Sequence, residues 1–281
     1  MTIRVGIDLG GTKIELIAFD GSDREVFRKR VPTPQGDYEA TVRVAANLVL
    51  EFESSEKKTA TVGVGIPGSQ SRVTGLIKNA NSTCLIGHDL KGDLEKALDR
   101  EVRVENDANC FALSEAVSGA GKGAKVVFGV ILGTGVGAGI VVNGEVLVGP
   151  NAIAGEWGHN PLPLPRGEDL PLPECYCGRK GCIEAYLSGP ALQKDADMGR
   201  YEERLARSLA GVINILDPDV IVLGGGVSNV DRLYTNVPRL WGPYVFSDRI
   251  DTRLSKPVHG DSSGVRGAAW LWGRRPMGNR V

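Results

Sequence analysis

Short apolar runs closed by glycine set the rhythm of this chain. Residues 3–9 read as a strand, Gly10-Gly11-Thr12-Lys13 as a turn, and 14–19 as a second strand. The spacing then turns helical. Asp37 stands at a helix start, and Val42, Ala45, Val49 and Phe52 form one apolar stripe. Residues 61–66 read as a strand ending in Pro67-Gly68, and 78–83 as polar loop. Leu90, Leu94 and Leu98 mark a short helix. A strand over 102–105 runs into Asn106-Asp107-Ala108-Asn109 and a helix to about Val117.

The first pattern then recurs. Residues 127–132 lead into Gly133-Thr134-Gly135-x-Gly137, followed by 140–142 and Asn143-Gly144. Strand, Gly/Thr turn, strand, then an Asx-Gly turn occurs in both halves, which predicts a duplicated lobe. The uncharged stretch 126–144 approaches the length of a membrane span, but its glycines divide it into two strands, so no span is expected. Farther on, Leu205, Leu209, Val212, Ile213 and Leu216 share one broad face of a helix over 201–216, ended by Asp217-Pro218-Asp219. Residues 220–223 read as a buried strand leading into Gly224-Gly225-Gly226. Residues 260–264 open a last helix to about Trp272, and the chain after Gly273 reads as a frayed tail.

Composition narrows the possibilities. A chain of 281 residues, 42% hydrophobic, suffices for one large domain or two modest ones. With a net charge of −1 and no basic stripe, it carries no footprint for nucleic acid. No secretory signal precedes the strand at residue 3, and reduced cysteines fit the cytoplasm.

Three features carry candidate chemistry. In both hairpins the glycines let backbone N–H groups face an anion, with Thr12, Lys13 and Thr134 adding hydroxyls and a positive charge. Asp8, beside the first turn, is placed as an outer ligand for Mg²⁺. A single hairpin of this kind reads equally as a plain glycine turn; the repeat favours two phosphate-binding hairpins. Asp107, where a strand becomes a helix, reads either as a helix cap or as a general base at the carboxyl end of a sheet. Gly225 and Gly226 follow a buried strand and allow a flat group such as adenine near the backbone.

The third feature spans 156–184. It opens Glu156-Trp157-Gly158-His159 and ends Cys175-x-Cys177-Gly178-x-x-Gly181-Cys182-Ile183-Glu184. His159, Cys175, Cys177 and Cys182 make a Cys₃His set suited to a structural zinc, with ordinary buried cysteines as the alternative. Gly178 and Gly181 can take the positive φ of a tight knuckle. A Cys175–Cys177 disulfide would strain so short a ring. The flanking carboxylates Glu156 and Glu184 are natural acceptors for the hydroxyl groups of a polyhydroxylated substrate.

Together these residues resemble the ROK sugar kinases: Asp8-x-Gly10-Gly11-Thr12, Asn106-Asp107, Gly133-Thr134-Gly135, Glu156-x-Gly158-His159, the cysteine run and the glycine triplet, over nearly the whole chain. The resemblance implies an actin-like (ribonuclease H-like) α/β fold of two duplicated βββαβα lobes with an active-site cleft between them. The lobes are expected at 1–118 and 119–281, with a helix near 264–273 packing back on the first. It implies ATP-dependent phosphorylation of a hexose with Asp107 as base, and sugar contacts from Asn81, Asn106, Asp107, Glu156, His159 and Glu184. ATP would be held by Asp8, Gly10, Gly11, Thr12, Lys13, Gly133, Thr134, Gly135, Gly225 and Gly226, with Mg²⁺ and a zinc on His159, Cys175, Cys177 and Cys182. His159 would give one ring nitrogen to the metal and keep the other for a hydroxyl.

Within the family the chain looks most like bacterial fructokinases of the mannofructokinase type, on Asn79-Ala80-Asn81-Ser82-Thr83, Cys175-Tyr176-Cys177 and residues 259–272. Fructose is therefore the expected hexose, with mannose or glucose tolerated. N-acetylhexosamine kinase or glucokinase is the alternative. A homodimer is implied by resemblance alone. Family repressors carry a helix-turn-helix before the first hairpin, for which this sequence has no room. One departure stands out: only about a dozen residues separate Ser188 from the helix near Tyr201, where the resembling kinases carry a few dozen.

Overall fold

The structure, a computed structural model, describes residues 3–80 and 82–273. They form two compact units. One is built from residues up to Ser114, with 149–152 and the segment from Ser262 onward; the other comprises 115–148 and 153–261.

In the first unit, β1 (Ile3–Leu9), β2 (Lys13–Phe19) and β3 (Glu25–Pro32) form an antiparallel meander. Next come α1 (Tyr38–Glu56), β4 (Ala60–Ile66), a small hairpin of β5 (Ser69–Gln70) and β6 (Ile77–Lys78), α2 (Leu90–Leu98), β7 (Val102–Asn106) and α3 (Asp107–Ser118), which continues into the second unit. The sheet order is β3-β2-β1-β4-β7, with β4 and β7 parallel to β1. Asp37 caps α1 by accepting from the Ala40 N–H at 2.9 Å, and Val42, Ala45, Val49 and Phe52 are buried as the spacing predicts. The sequence reading missed β3. It is an edge strand whose exposed Arg28 and Arg30 reach over the buried Glu15 carboxylate and donate to it at 2.7 and 2.6 Å. The last helix, α8 (Ser263–Trp270), lies on this sheet, with Val265 and Ala269 packed against Ile17 and Phe19.

The second unit repeats the plan with β8 (Val126–Leu132), β9 (Val136–Val142), β10 (Glu145–Val146), β11 (Val220–Gly224) and β12 (Arg253–Ser255) in the order β10-β9-β8-β11-β12. The antiparallel and parallel pairings match position for position, which makes the duplicated two-lobed α/β architecture explicit. The uncharged stretch at 126–144 is the β8–β9 hairpin. Among the described residues no helix is long and apolar enough to cross a membrane.

Its helices are α4 (Glu184–Leu187), α5 (Gly189–Lys194), α6 (Met198–Leu216) and α7 (Leu233–Leu240). Because Asp197 caps it, accepting from Arg200 N at 3.0 Å, α6 begins three residues before the expected Tyr201. Asp195 accepts from Arg200 and Arg204, both at 2.8 Å. The short stretch after α5 is thus a capped, ion-paired corner. Pro238 inside α7 hid that helix from the spacing. On α6, Arg204 and Arg207 are buried with Asp169, at 2.7 and 2.8 Å, and Arg207 also donates to the carbonyls of Pro163 and Leu164. These bonds fasten the proline-rich connector that leads to the cysteines.

Candidate functional site

The tip of the β1–β2 hairpin is pinned from three sides. Gly10 N donates to Lys13 O at 3.0 Å, Thr33 N to Thr12 O at 3.1 Å, and Thr33 Oγ1 to Gly10 O at 2.7 Å. The Gly10 amide therefore closes the turn, while Gly11 and Thr12 are exposed and Lys13 half-buried. Asp8 faces Glu15 across the ladder. Burial, then the carboxylates of Asp107 and Glu15, push the Asp8 carboxyl up to about 6. A Cβ added to Gly264 would stand 3.7 Å from that carboxyl, so α8 begins beside it.

At the start of α3 one backbone N–H is shared between Asn106 and Asp107. Asn106 Oδ1 accepts from Ala108 N at 2.9 Å, which is the capping hydrogen bond, and Asn106 Nδ2 donates to Gly68 O at 2.9 Å. Asp107 Oδ1 also receives the Ala108 N–H, at 2.8 Å. Asp107 is half-buried at the carboxyl end of β7, close enough to Asp8 to raise its carboxyl. Asn81 lies outside the described residues, as does the expected tail after Gly273.

In the second unit Gly133 N donates to Gly135 O at 3.0 Å, closing the second hairpin with Thr134 exposed at its tip. A Cβ on Gly225 would meet Leu132 O at 2.4 Å, so Gly225 is packed against this hairpin, while Gly226 has open space around it.

The four expected metal ligands converge: one donor atom from each of His159, Cys175, Cys177 and Cys182 lies within 4.8 Å of the others. A tetrahedral ion with ordinary zinc bond lengths puts S···S edges at about 3.8 Å and S···N edges at about 3.6 Å. The structure has Cys177 Sγ to Cys182 Sγ at 3.7 Å and Cys175 Sγ to His159 Nδ1 at 3.6 Å. Gly178 and Gly181 take φ values of 85° and 72°, as a tight knuckle requires. Hydrogen bonds from the Arg179 backbone and side chain hold the Cys177 thiol down to about 6, whereas burial foremost pushes Cys175 and Cys182 up. The remaining ring nitrogen of His159, expected to be free for a hydroxyl, lies 3.0 Å through Nε2 from the phenol of the exposed Tyr176, whose ring stands edge-on to the imidazole. Sequence reasoning missed this tyrosine, and its position between two ligands was the available signal.

Glu156 is exposed at the start of a 3-10 turn (Glu156–His159). Glu184 opens α4, is 8% exposed, and accepts from Val136 N through Oε2 at 2.8 Å. The resemblance gave it a sugar contact; the structure also fastens it to the second hairpin.

Comparison with known proteins adds a third line. The ROK family pattern matches residues 4–199 and 196–275, the two matches meeting at the short corner before α6. An N-acetyl-D-glucosamine kinase of Vibrio cholerae serotype O1 is 41% identical over 296 aligned positions, covering 95% of this chain and 98% of that protein. One from Yersinia enterocolitica is 38% identical with the same coverage. Alignments longer than the 281-residue chain mean that these relatives carry residues without a counterpart here. Among solved structures, a ROK hexokinase from Thermus thermophilus superposes with a TM-score of 0.84 at 31% identity, covering 96% of this chain and 97% of that one. A Streptomyces griseus ROK glucokinase in complex with glucose and AMPPNP gives 0.74 at 25% identity, with 96% and 98% covered.

Proposed function

The chain belongs to the ROK family and is an ATP-dependent sugar kinase, and from that premise we propose that its hexose is N-acetyl-D-glucosamine. The observation that carries this is identity of 38–41% over 95% of the chain to proteins that bear that activity in their names. The fructose expectation gives way to its alternative, because the curated relatives that match over 95% of the chain are N-acetyl-D-glucosamine kinases. Differences of a single substituent are set by pocket shape, which spacing does not encode.

In the proposed mechanism Asp107 accepts the proton of the sugar's primary hydroxyl as that oxygen attacks the γ-phosphorus in line. ATP supplies the phosphoryl group, and Mg²⁺ the charge that neutralises it. Thr12, Lys13 and Thr134, with the exposed hairpin tips around Gly11 and Gly135, steady the phosphates. Asp8 would supply an outer carboxylate for Mg²⁺; burial and the carboxylates of Asp107 and Glu15 raise its proton affinity, a cost that a bound cation would offset. Gly226 rather than Gly225 leaves room for the base. His159, Cys175, Cys177 and Cys182 hold a structural zinc that fixes the segment carrying Glu156 and Glu184, the carboxylates assigned to sugar hydroxyls.

The test is kcat/KM for N-acetyl-D-glucosamine, D-fructose, D-mannose and D-glucose in a coupled ATPase assay. N-acetyl-D-glucosamine is expected to give the highest value. A higher value for fructose would restore the mannofructokinase reading and overturn this one.

A further inference from the structure

We propose that Glu184 is a positioning residue that ties the Cys₃His knot to the Gly133–Gly135 hairpin, so that the knot sets affinity for the nucleotide's phosphates as well as for the sugar. The inference rests on the assignment of that hairpin to the phosphates.

Cys182 is followed by Ile183 and then by Glu184, the first residue of α4. Glu184 Oε2 accepts from the N–H of Val136, the first residue of β9 after the hairpin, at 2.8 Å in a buried bond. The hairpin fits closely around it: a Cβ on Gly135 would stand 2.8 Å from the same oxygen. Beyond the other end of this four-residue helix, Gly189 N donates to Gly133 O at 2.7 Å. The α4 segment therefore grips the hairpin on both its incoming and outgoing sides.

On the metal side, Cys182 is seated by Leu162 N to Gly181 O and Ile183 N to Asn160 O, both 2.8 Å. His159 reaches the same place by another route. Its 3-10 turn packs so closely on β9 that a Cβ on Gly158 would stand 2.2 Å from Val136 O. Val136 thus has its carbonyl covered from the His159 turn and its amide held from the Cys182 side. Two metal ligands on separate segments converge on one residue of the hairpin.

The physical consequence is preorganisation. A glycine-rich tip loses much conformational freedom when phosphates order it, and that loss weakens binding. A buried hydrogen bond to a carboxylate, anchored in a metal-fixed segment, removes part of that freedom beforehand. Opening the knot releases both anchors.

The experiment measures Mg·ADP affinity by equilibrium titration without sugar, together with amide hydrogen exchange over 133–138. Cys177→Ser opens the knot at a ligand that makes neither contact, and Glu184→Ala removes the brace itself. Both are expected to weaken Mg·ADP about tenfold, the loss of one buried charge-assisted hydrogen bond, and to speed exchange at Val136. Glu184→Gln keeps an accepting oxygen and is expected to recover most of the affinity. Exchange over 3–9 and 60–66 in the first unit is expected to stay at the parent level. Parent-like Mg·ADP affinity and Val136 protection in Cys177→Ser and Glu184→Ala would overturn the proposal. Thr134→Ala separates the premise: unchanged Mg·ADP affinity there would overturn the hairpin's phosphate role, and the proposal with it.

Discussion

Asn106 and Asp107 are adjacent, similar in shape, and both good helix caps, so sequence position alone leaves either able to start α3. The hydrogen bond from Ala108 N to Asn106 Oδ1 assigns the capping geometry to the asparagine. Asp107 is then an acid at a strand's carboxyl end beside another acid, Asp8. Asp107→Asn is expected to fold and bind sugar normally but to lose kcat by about 10²- to 10⁴-fold, the usual worth of a general base. Steady-state kinetics with calorimetric sugar binding would check it, and near-normal turnover would remove Asp107 from the mechanism. Asp8 gives a second prediction. Burial and the neighbouring carboxylates push its carboxyl from the ordinary 3.8 up to about 6 in the folded protein, so folding favours the protonated form. Stability from this group is fully present below the unfolded value and is lost as pH rises through about 6. With magnesium omitted, Asp8→Asn should match the parent near pH 4 and exceed it at pH 8, by at most about 3 kcal/mol. Denaturant midpoints at the two pH values measure this. A variant less stable than the parent at pH 8 would contradict an uncompensated Asp8 charge. Both acids stood out in the sequence as candidates, but their pressure on one another did not, because Asp8 meets Glu15 across a ladder and Asp107 through folding of β7 against the sheet.

Elements with strong local periodicity were legible, and elements shaped by distant partners were not. The two hairpins, α1, α2 and β11 follow from apolar spacing and turn residues. β3 escaped because its run of arginines is intelligible only once Glu15 is known to lie buried beneath them. The seating of α8 is likewise nonlocal. It lies so close to the first sheet that a Cβ on Gly6 would meet Val265 O at 2.1 Å, and one on Gly63 would meet Ala268 O at 1.9 Å. Both neighbours are backbone atoms, which cannot swing aside. Gly63→Ala is therefore expected to destabilise the protein by about 3 kcal/mol through overpacking. Because α8 begins beside Asp8, the variant should also weaken Mg·ATP more than sugar. Denaturation curves and separate KM values decide it. An unchanged midpoint would show that α8 can move outward at no cost.

At the scale of the molecule, duplication was visible because each half repeats a glycine turn between two apolar runs. The membership of 149–152 in the first unit was not visible, and that of the segment from Ser262 was expected from the resemblance alone, since contact between segments far apart leaves no periodic trace. Each unit has a core of its own. The first is built from β1, β2, β4 and their helices, with residues such as Val5, Phe52 and Val62. The second includes Leu162, inside the segment that the Cys₃His knot closes, and Trp157, Ile183, Tyr186 and Leu187, which flank it. Metal affinity in such a knot adds directly to folding stability, because the unfolded chain holds no preformed site. Zinc removal should therefore act on one core and spare the other. After chelation, amide protection in β8 and β11 is expected to fall, while β1 and β4 keep theirs. Equal losses in both sheets would mean that the two cores unfold as one, and unchanged protection in β8 and β11 would mean that the knot is ornamental to the second. Either pattern would also bear on catalysis: Asp107 and Asp8 lie on the first core, Glu156 and Glu184 on the second. Selective loss in the second core should raise the sugar KM while Asp8 keeps its raised proton affinity.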